Sequence, residues 1–505
     1  MQEIILDGNN LSLEEVARIA LDNVPISIAK SSRLKVQKCR TYVDKVIANG
    51  DVVYGLTTGF GKFSTVNIPP ENIAELQLNL IRSHATSVGE PYDIPQTRAI
   101  MLLRIAVLVK GHSGIRLETL DTLVEMLNKG VHPIIPRRGS VGASGDLSPL
   151  SHLALVLIGE GEAIYKGKSM PGQEAMKLAG ITPVQLAAKE GLALNNGTQV
   201  MAALGVLSLL EAERLCRYAD VIASMSIDAL KGTTRAFDEL VHNLRPHPGQ
   251  LKSAANIRKL LSGSTLRESH RNCGNIQDAY SLRCTPQVHG AVRDAISYVR
   301  GVLQIEINSA TDNPLIFAEE EKVISGGNFH GEPLAIALDT LAIAVSELAS
   351  ISERRVEQML NPALSRGLSP FLAKRPGIDS GFMIVQLTAA SLVSENKVLA
   401  HPASVDSIPT SANQEDHVSM GSVSANKLLQ VIENVASALG IELLIAAAAL
   451  DERKLMSSPA LEKVKALLRV NVPPMNEDRV MYPDVNSAIE MLRDKRIDIA
   501  VGKIA

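Results

Sequence analysis

Aromatic side chains are scarce in this sequence. Its 505 residues include no tryptophan, and aromatic residues make up only 3% of the chain. Apolar residues nevertheless amount to 46%, so aliphatic side chains and alanine must fill the core. Because alanine and leucine favour helices, the composition predicts a mostly α-helical fold.

Cysteine is also rare. The four cysteines, Cys39, Cys216, Cys273 and Cys284, are scattered along the chain and form no C-x-x-C pair. Their spacing excludes a disulfide framework and a thiolate zinc site, and it fits a reducing compartment. The first residues have neither the basic nor the apolar segment of an export signal, so we expect a cytoplasmic protein.

Concentrated charge of either sign is missing. The formal net charge is −3 and no block of lysine and arginine stands out, which excludes a nucleic-acid partner because phosphate binding needs a basic face. The apolar run at 441–450 contains Glu442 and ends at a charged stretch. It is too short and too charged to span a membrane, so we expect a buried helix there.

The sequence also lacks metal and nucleotide motifs. Its histidines form no H-E-x-x-H motif, and Gly61-Lys62 is followed by Phe63 rather than by the serine or threonine of a phosphate-binding loop. His330 and His417 are expected to position their neighbours rather than to bind an ion. We therefore predict that the protein requires no metal and no nucleotide.

Long helical patterns dominate what is present. Ser12 and Glu15 have the spacing of a capping box at a helix start. Apolar residues recur at helical spacing over 72–83, 96–110, 287–308, 334–360, 381–400 and 422–450. After Val472 the chain is predicted to be irregular up to a short helix at 487–493. Helices this long, and apolar on more than one face, predict a bundle buried in a homo-oligomer or, alternatively, in one large monomer.

The glycine-rich stretch 139–150 carries the most distinctive chemistry. It fails as a serine-hydrolase elbow, because Asp146 stands where G-x-S-x-G requires the final glycine. In Ala143-Ser144-Gly145, however, the backbone nitrogen of Gly145 could close onto the Ala143 carbonyl carbon. Loss of two waters would then leave a methylidene-imidazolone, an electrophile that ordinary side chains lack. Taken alone, an Ala-Ser-Gly tripeptide is usually a loop without chemistry.

Six segments, taken in order, give that tripeptide its context. They are 54–61, 139–150, 190–198, 277–284, 325–330 and 406–417. Together they resemble the aromatic amino-acid ammonia-lyase family, and their order spans most of the chain. The resemblance implies a mostly α fold, a long-helix bundle of the aspartase/fumarase-like type with an N-terminal region carrying the catalytic loops.

The resemblance also implies an organisation and a prosthetic group. We expect an N-terminal region over 1–205, a central helix bundle over 206–455 and a C-terminal tail over 456–505, within one continuous family domain. The family is tetrameric and shares each active site among subunits. Its 4-methylidene-imidazol-5-one group would form autocatalytically from Ala143, Ser144 and Gly145.

Roles for individual residues follow from the same resemblance. Tyr54 matches the family's general base, and Arg283 matches the residue that grips the substrate carboxylate. Tyr280 and Gln277 precede Arg283 by three and six residues, so on a helix all three would share one face. Tyr280 and Ser144 complete, with Tyr54 and Glu415, the predicted catalytic set.

Two further positions surround the expected ring. Asn196 matches an asparagine beside the prosthetic group, although Asn195 occupies a place where an apolar residue is expected. Phe329 resembles the family's aromatic residue that packs against the ring. Without the resemblance, each of these residues would be read as an ordinary core or loop residue.

Substrate choice depends on two positions. Ser83-His84 resembles the pair found in histidine-specific members, where tyrosine lyases carry His-Leu. His84 and Glu415 offer hydrogen-bond partners for an imidazole, and phenylalanine would leave both of them unpaired. The resemblance therefore implies elimination of ammonia from L-histidine to give trans-urocanate, the first step of histidine degradation.

Three alternatives stay open at this point. A tyrosine ammonia-lyase or aminomutase with the same prosthetic group is the nearest, and an inactive helical scaffold is the second. A serine hydrolase is the third and is disfavoured by Asp146. Whether the amine or the imidazole of the substrate attacks the ring is left open by the sequence.

Overall fold

The computed structural model describes residues 2–271, 273–494, 496–502 and 504. Helices dominate it, as predicted from the composition. The α-helices are α1 Leu13–Leu21, α2 Lys30–Ala48, α3 Ile73–His84, α4 Ile94–Leu108, α5 Leu117–Lys129, α6 Leu147–Leu157, α7 Gly172–Leu178, α8 Glu190–Asn195, α9 Gln199–Ala229, α10 Glu239–Asn243, α11 Pro248–Leu260, α12 Thr265–Glu268, α13 Tyr280–Arg283, α14 Thr285–Glu306, α15 Glu332–Leu360, α16 Met383–Leu399, α17 Gly421–Glu452, α18 Pro459–Arg469, α19 Tyr482–Arg493 and α20 Arg496–Val501.

The strands are short and lie at the margins of the helices. They are β1 Ile4–Leu6, β2 Ile26–Ile28, β3 Val88–Pro91, β4 His132–Pro133, β5 Pro136–Arg138, β6 Glu162–Tyr165, β7 Lys168–Pro171, β8 Leu315–Phe317 and β9 Lys322–Ile324. β1 and β2 pair in parallel with Ile4 opposite Ile26. The other pairs, β3 with β5, β4 with β6, β6 with β7 and β8 with β9, are antiparallel.

The chain divides into two compact units. Unit 1 comprises Met1–Leu210, Arg300–Asp339 and Pro402–Asn426, and unit 2 comprises Glu211–Val299, Thr340–His401 and Lys427–Ala505. Strands β1 to β9 and helices α1 to α8 belong to unit 1. Helices α10 to α13, α16 and α18 to α20 belong to unit 2.

Local sequence signals explain several helix boundaries. Ser12 caps α1, and its hydroxyl accepts the N–H of Glu15 while the Glu15 carboxylate accepts the N–H of Ser12, as the capping-box pattern predicted. Asp93 and Gln96 cap α4 in the same way. The six stretches predicted to be helical correspond to α3, α4, α14, α15, α16 and α17, with ends that differ by about two residues.

Two helices depart from the sequence-based prediction. The 31-residue α9 was not predicted, and it contains Gly205, where a β-carbon would press on Leu303 and Leu338. Close packing therefore outweighs the low helix propensity of glycine at this position. The tail helix α19 begins at Tyr482 rather than at residue 487, because Pro483 lies in its first turn, where proline is tolerated.

Unit 1 is organised around α4. Every residue of α4 from Thr97 to Leu108 is buried, including Arg98 and Arg104. Helix α1 packs on α4, while α3 packs on α6 and α8. Loop 139–146 directly precedes α6 and loop 196–198 directly follows α8, whereas loop 54–61 lies within the connection between α2 and α3.

Unit 2 has ionic groups in its helical core. The Arg355 guanidinium donates to both carboxylate oxygens of Glu442, at 2.5 and 2.8 Å, and both side chains are fully buried. Asp220 is also fully buried and accepts hydrogen bonds from His289 and Arg293 at 2.8 and 2.7 Å. A buried charge is costly unless it is paired, so these contacts constrain how the helices of unit 2 pack.

Among the residues that the structure describes, two helices, α15 and α17, are long and apolar enough to cross a membrane by length and composition. The apolar run at 441–450 lies in α17. In the structure, 89% of the apolar window of α17 and 61% of that of α15 are buried inside the protein. Core helices of a protein without membrane spans pass the same test, and the burial of both windows fits that reading.

Candidate active site

The loop that carries Ala143-Ser144-Gly145 is sharply bent. Ser144 has a φ of 48° and Gly145 a φ of 82°, and positive φ is uncommon for a residue with a side chain. The N–H of Gly145 donates to the carbonyl of Gly142 at 3.1 Å. A β-carbon on Gly145 would overlap the carbonyl of Gly197, so only glycine fits this position.

Backbone contacts hold this loop against the turn at residue 197. The N–H of Asp146 donates to the Gly197 carbonyl at 2.7 Å, and the N–H of Gly197 donates to the Ser144 carbonyl at 3.2 Å. The Ser140 hydroxyl donates to the carbonyl of Gly145 at 3.0 Å. The tripeptide is therefore fixed on both sides by main-chain hydrogen bonds.

Asp146 anchors the loop from beneath. Its buried carboxylate accepts the N–H groups of Val200 and Met201, at 2.9 and 3.0 Å, at the start of α9. It also accepts the Ser422 hydroxyl at 2.7 Å. Burial raises the pKa of Asp146 to about 6, although these donors oppose the shift.

A cavity of about 730 Å³ opens beside Ser144. The residues that line it all belong to unit 1. They include six positions singled out from the sequence, namely Tyr54, Ser83, His84, Ser144, Asn196 and Glu415. Four separate segments of unit 1 and the end of α3 thus meet at one place.

Tyr54 reaches the cavity from the glycine-rich turn at 54–61. Gly55 and Gly61 both have positive φ, which lets the chain close on itself. The phenol oxygen of Tyr54 accepts the N–H of Gly61 at 3.2 Å. This hydrogen bond fixes the position of the Tyr54 ring and gives the phenol oxygen one donor.

Glu415 connects a second loop to Ser144. One carboxylate oxygen accepts the Thr410 hydroxyl at 2.7 Å, and the other accepts the Ser144 hydroxyl at 3.5 Å. Thr410 and Glu415 also pair through their backbones, at 3.0 and 3.4 Å. The Glu415 carboxylate is therefore held beside the Ser144 hydroxyl in the bent tripeptide.

His84 is the last residue of α3. Its Nδ1 lies 3.0 Å from the Ser83 hydroxyl oxygen. Burial lowers the pKa of His84 below its ordinary value, while the nearby charge of Glu415 acts in the opposite direction. The neutral imidazole, with one nitrogen able to donate and one able to accept, is thus favoured near neutral pH.

Gln277, Tyr280 and Arg283 belong to unit 2 and are not among the residues that line the cavity. The prediction that they share one helix is wrong for Gln277, because α13 spans only Tyr280–Arg283 and residues 273–279 are irregular. The three side chains are nevertheless clustered. The Arg283 guanidinium lies 4.5 Å from the centroid of the Tyr280 ring. When the Gln277 amide is oriented with its oxygen toward Arg283, that oxygen accepts hydrogen bonds from both Arg283 Nη groups at 3.1 and 3.2 Å.

Phe329 and its neighbours lie apart from the cavity lining. Phe329 is a half-buried turn residue of unit 1. His330, Glu332 and His417 have their ligand atoms within 4.8 Å of one another, a spacing that could hold a metal ion. However, both ring nitrogens of His330 are already engaged, one with the His417 carbonyl at 3.2 Å and one with the N–H of Glu332 at 3.3 Å.

Comparison with known proteins shows the family to which the chain belongs. Residues 11–470 match the family model described as aromatic amino acid lyase. The chain belongs to the aromatic amino acid lyase family. The family and the lyase class predicted from the six motifs are confirmed.

Individual relatives cover nearly the whole chain. A histidine ammonia-lyase from Caldanaerobacter subterraneus subsp. tengcongensis is 54% identical over 499 residues, covering 99% of this chain and 98% of its own. The crystal structure of histidine ammonia-lyase from Trypanosoma cruzi has a TM-score of 0.92 at 46% identity, covering 99% of this chain and 95% of its own. A tyrosine aminomutase from Streptomyces globisporus has a TM-score of 0.93 at 37% identity, with 99% and 98% covered. The helical fold predicted for this lyase family is thereby confirmed.

Sequence reasoning assigned no role to several residues around this cavity. Arg104 donates to the Asn196 carbonyl at 2.7 Å, Thr198 donates to Glu306 at 2.5 Å, and Thr410 holds Glu415. Asp146 was considered only as the residue that breaks a hydrolase motif. For Arg104 a signal did exist, because an arginine within the apolar stretch of α4 must have a buried partner.

Proposed function

We propose that this chain eliminates ammonia from L-histidine and releases trans-urocanate. The observation that carries the proposal is the cavity in which Ser144 meets Tyr54, His84 and Glu415. The relatives named histidine ammonia-lyase support it at 54% and 46% identity. In this role the chain would act in the cytoplasm at the first step of histidine degradation.

The electrophile would be a 4-methylidene-imidazol-5-one made from Ala143, Ser144 and Gly145. Two observations fit such a group: the tripeptide is bent at Ser144 and Gly145, and Gly145 packs so closely on Gly197 that a side chain has no space. When formed, the ring supplies an electron-poor carbon that activates the amino group for departure. Asn196 and the Gly197 N–H would flank it, since both adjoin Ser144 in the structure.

Tyr54 would remove the β-proton of the substrate. A carbon-bound β-proton is weakly acidic, so its removal needs a base in the cavity. The N–H of Gly61 donates to the Tyr54 oxygen at 3.2 Å, and a hydrogen bond to an oxygen is stronger when that oxygen is charged. The contact therefore holds the Tyr54 oxygen in one position in the cavity, where it would act as the base.

His84 and Glu415 would select the imidazole. A carboxylate accepts an imidazole N–H, and a neutral histidine pairs with the other ring nitrogen. The Thr410 hydroxyl already fixes Glu415 at 2.7 Å, so the carboxylate is presented in one orientation. Phenylalanine would leave both groups desolvated and unpaired, at a cost of about 1–3 kcal/mol for each.

Arg283 would bind the substrate carboxylate from a neighbouring subunit, with Gln277 and Tyr280 beside it. Tyr280 is 72% exposed, and the cluster does not line the unit 1 cavity. Exposed apolar side chains on α16, including Ile384, Leu387 and Val398, need a covering surface. We therefore propose a homotetramer in which one chain's cavity is completed by another chain's Arg283 cluster, with Phe329 as the aromatic wall.

Mixing two inactive variants tests this sharing. Tyr54→Phe and Arg283→Ala chains, each inactive alone, should regain part of the wild-type activity when they are unfolded together and refolded. Mixed assemblies would then contain sites with both an intact Tyr54 and an intact Arg283. Recovery no greater than the sum of the separate activities would contradict shared sites.

The alternative is an enzyme that acts on tyrosine. The similarity to a tyrosine aminomutase at 37% identity supports this alternative. The Ser83-His84 pair and Glu415 disfavour it, because a phenol cannot satisfy both groups in the way an imidazole does. Near-ultraviolet absorbance with L-histidine, L-tyrosine and L-phenylalanine in parallel separates the two. A urocanate band with histidine alone supports the proposal, and turnover of tyrosine instead would overturn the substrate assignment.

No metal should be needed for turnover. The groups assigned to the reaction are a ring made from the chain itself, a phenol, a carboxylate and an imidazole. Activity should therefore survive prolonged dialysis against a chelator. A loss that zinc or manganese restores would contradict this and would direct attention to His330, Glu332 and His417.

A further inference from the structure

Arg104 is a fully buried cation in the middle of α4. Its Nη1 donates to the carbonyl of Asn196 at 2.7 Å, whereas Nε and Nη2 have no hydrogen-bond partner among the residues that the structure describes. A guanidinium that is buried with one hydrogen bond carries a large desolvation cost. Burial accordingly lowers the pKa of Arg104 to about 10, with Asp312 and Asp146 opposing the shift.

The hydrogen bond from Arg104 to Asn196 is connected to Ala143-Ser144-Gly145 through two peptide groups. The carbonyl of Asn196 and the N–H of Gly197 belong to one peptide group. That N–H donates to the Ser144 carbonyl at 3.2 Å, and this carbonyl belongs to the same peptide group as the Gly145 nitrogen. A chain of hydrogen bonds therefore connects the Arg104 charge to the nitrogen that must close the ring.

Hydrogen bonds in such a chain strengthen one another, most of all in a low-dielectric interior. A cation at the Asn196 carbonyl makes the Gly197 N–H a stronger donor, and a stronger donor at the Ser144 carbonyl draws electrons from the Gly145 nitrogen. The N–H of Gly145 thereby becomes more acidic. Loss of this proton is required when the nitrogen forms a new bond.

The nearby carboxylates have hydrogen-bond donors of their own, and the Arg104 guanidinium is directed at the Asn196 carbonyl. Asp312 is paired with Lys189 at 2.8 Å, with both groups fully buried. Asp146 is occupied by the N–H groups at the start of α9 and by Ser422. Glu306 accepts Thr198 at 2.5 Å. Each neighbouring carboxylate thus has its own donors.

We propose that Arg104 is a positioning residue that promotes closure of Ala143-Ser144-Gly145 by polarising the Asn196–Gly197 peptide. The proposal rests on the function proposed above. In the closure, the Gly145 nitrogen bonds to the Ala143 carbonyl carbon and its proton passes to the carbonyl oxygen. That oxygen leaves as water together with the Ser144 N–H proton, and a second water takes the Ser144 hydroxyl and the Cα proton. No oxidant is required.

The variants Arg104→Gln and Arg104→Lys test the charge separately from the shape. Arg98→Gln is the matched control, because Arg98 is also buried on α4 and donates to the backbone carbonyls of Ile19 and Leu127. The full-length chains are made by cell-free translation, and trypsin is added to samples taken over time. The readout is the fraction of peptide 139–166, which contains no internal lysine or arginine, that has lost two waters.

The proposal predicts closure that is slower in Arg104→Gln by roughly 10- to 100-fold, the size of a lost hydrogen bond to a charged group. Arg104→Lys should recover part of that rate, and Arg98→Gln should close at the wild-type rate. Wild-type closure in Arg104→Gln would overturn the proposal. Equal slowing of Arg104→Gln, Arg104→Lys and Arg98→Gln would also overturn it, because damage to α4 alone would then explain the effect.

Two measurements keep the result interpretable. Helical circular dichroism and the thermal midpoint identify any variant that fails to fold, and in that case the comparison of Arg104→Lys with Arg98→Gln decides. A wild-type peptide that never loses water, in a folded protein, would overturn the proposed function itself. Full loss in wild type with no effect at Arg104 would overturn only this inference.

Discussion

Gly145 lies directly against Gly197. A β-carbon on Gly145 would overlap the carbonyl of Gly197, and the next residue, Asp146, donates its N–H to that same carbonyl at 2.7 Å. The two glycines bring the reactive tripeptide and the Asn196 turn into contact. Backbone packing as well as side chains thus positions Ala143-Ser144-Gly145 and the residues beside it.

Gly145→Ala should therefore abolish activity. The added methyl group has no space and the residue has a φ of 82°, so the loop must move away from Gly197. Gly167→Ala is the matched control, because Gly167 has a φ of 77° and open space around it. Its cost is limited to the left-handed backbone, on the order of 1 kcal/mol. Urocanate formation by Gly145→Ala at a tenth of the wild-type rate or more would show that the close contact is not required.

Tyr54→Phe should lower kcat by about 10² to 10⁴, the usual contribution of a general base. The ring would still fill its place, so KM should change little. Tyr165→Phe serves as the control, since Tyr165 lies on the β6–β7 hairpin away from the cavity lining. Initial rates by urocanate absorbance decide the matter, and a loss below about fivefold would assign the base elsewhere.

His84→Leu should weaken recognition of histidine. It removes one hydrogen-bonding partner of the imidazole and leaves the other, Glu415, in place. The expected fall in kcat/KM is roughly 5- to 150-fold, equivalent to about 1–3 kcal/mol. Turnover of L-tyrosine should rise relative to L-histidine in this variant. An unchanged ratio of kcat/KM for the two amino acids would remove His84 from the specificity argument.

Much of the fold and half of the site could be predicted from the sequence. The long helices follow from apolar spacing, and the segments around Tyr54, His84, Ser144 and Glu415 were identified by their motifs before the structure brought them together. The geometry of Gln277 could not be predicted, because the chain before α13 is irregular and Gln277 reaches Arg283 through its side-chain amide rather than through helical spacing. For Arg104 the sequence indicates a buried arginine within an apolar helix but not its partner, because that partner is the backbone carbonyl of Asn196.

Acid should destabilise the fold in part through His132. This residue is buried and accepts an N–H of Arg98 at 3.3 Å. Burial, reinforced by the Arg98 charge, lowers its pKa from 6.5 to about 4. As the pH falls from about 7 to 4, His132 becomes protonated in the unfolded chain while it stays neutral in the folded chain. Stability on the order of 1–3 kcal/mol is then present above pH 6.5 and lost by pH 4.

The thermal midpoint measured from pH 7 to pH 4 checks this, with His132→Asn as the comparison. The variant should lose less stability on acidification than the wild type. Asp146 acts in the opposite sense, because its pKa is raised from 3.8 to about 6, so the difference between the two proteins is the informative quantity. Parallel curves would contradict the assignment to His132.

The mass of tryptic peptide 139–166 from the purified, active protein tests whether Ala143, Ser144 and Gly145 form the electrophile. We expect this peptide to be lighter than its sequence by two waters, and we expect Ser144→Ala neither to lose the second water nor to turn over L-histidine. A wild-type peptide at full mass in protein that converts L-histidine to urocanate would contradict it. The elimination would then have to proceed without an electrophile made from Ala143, Ser144 and Gly145.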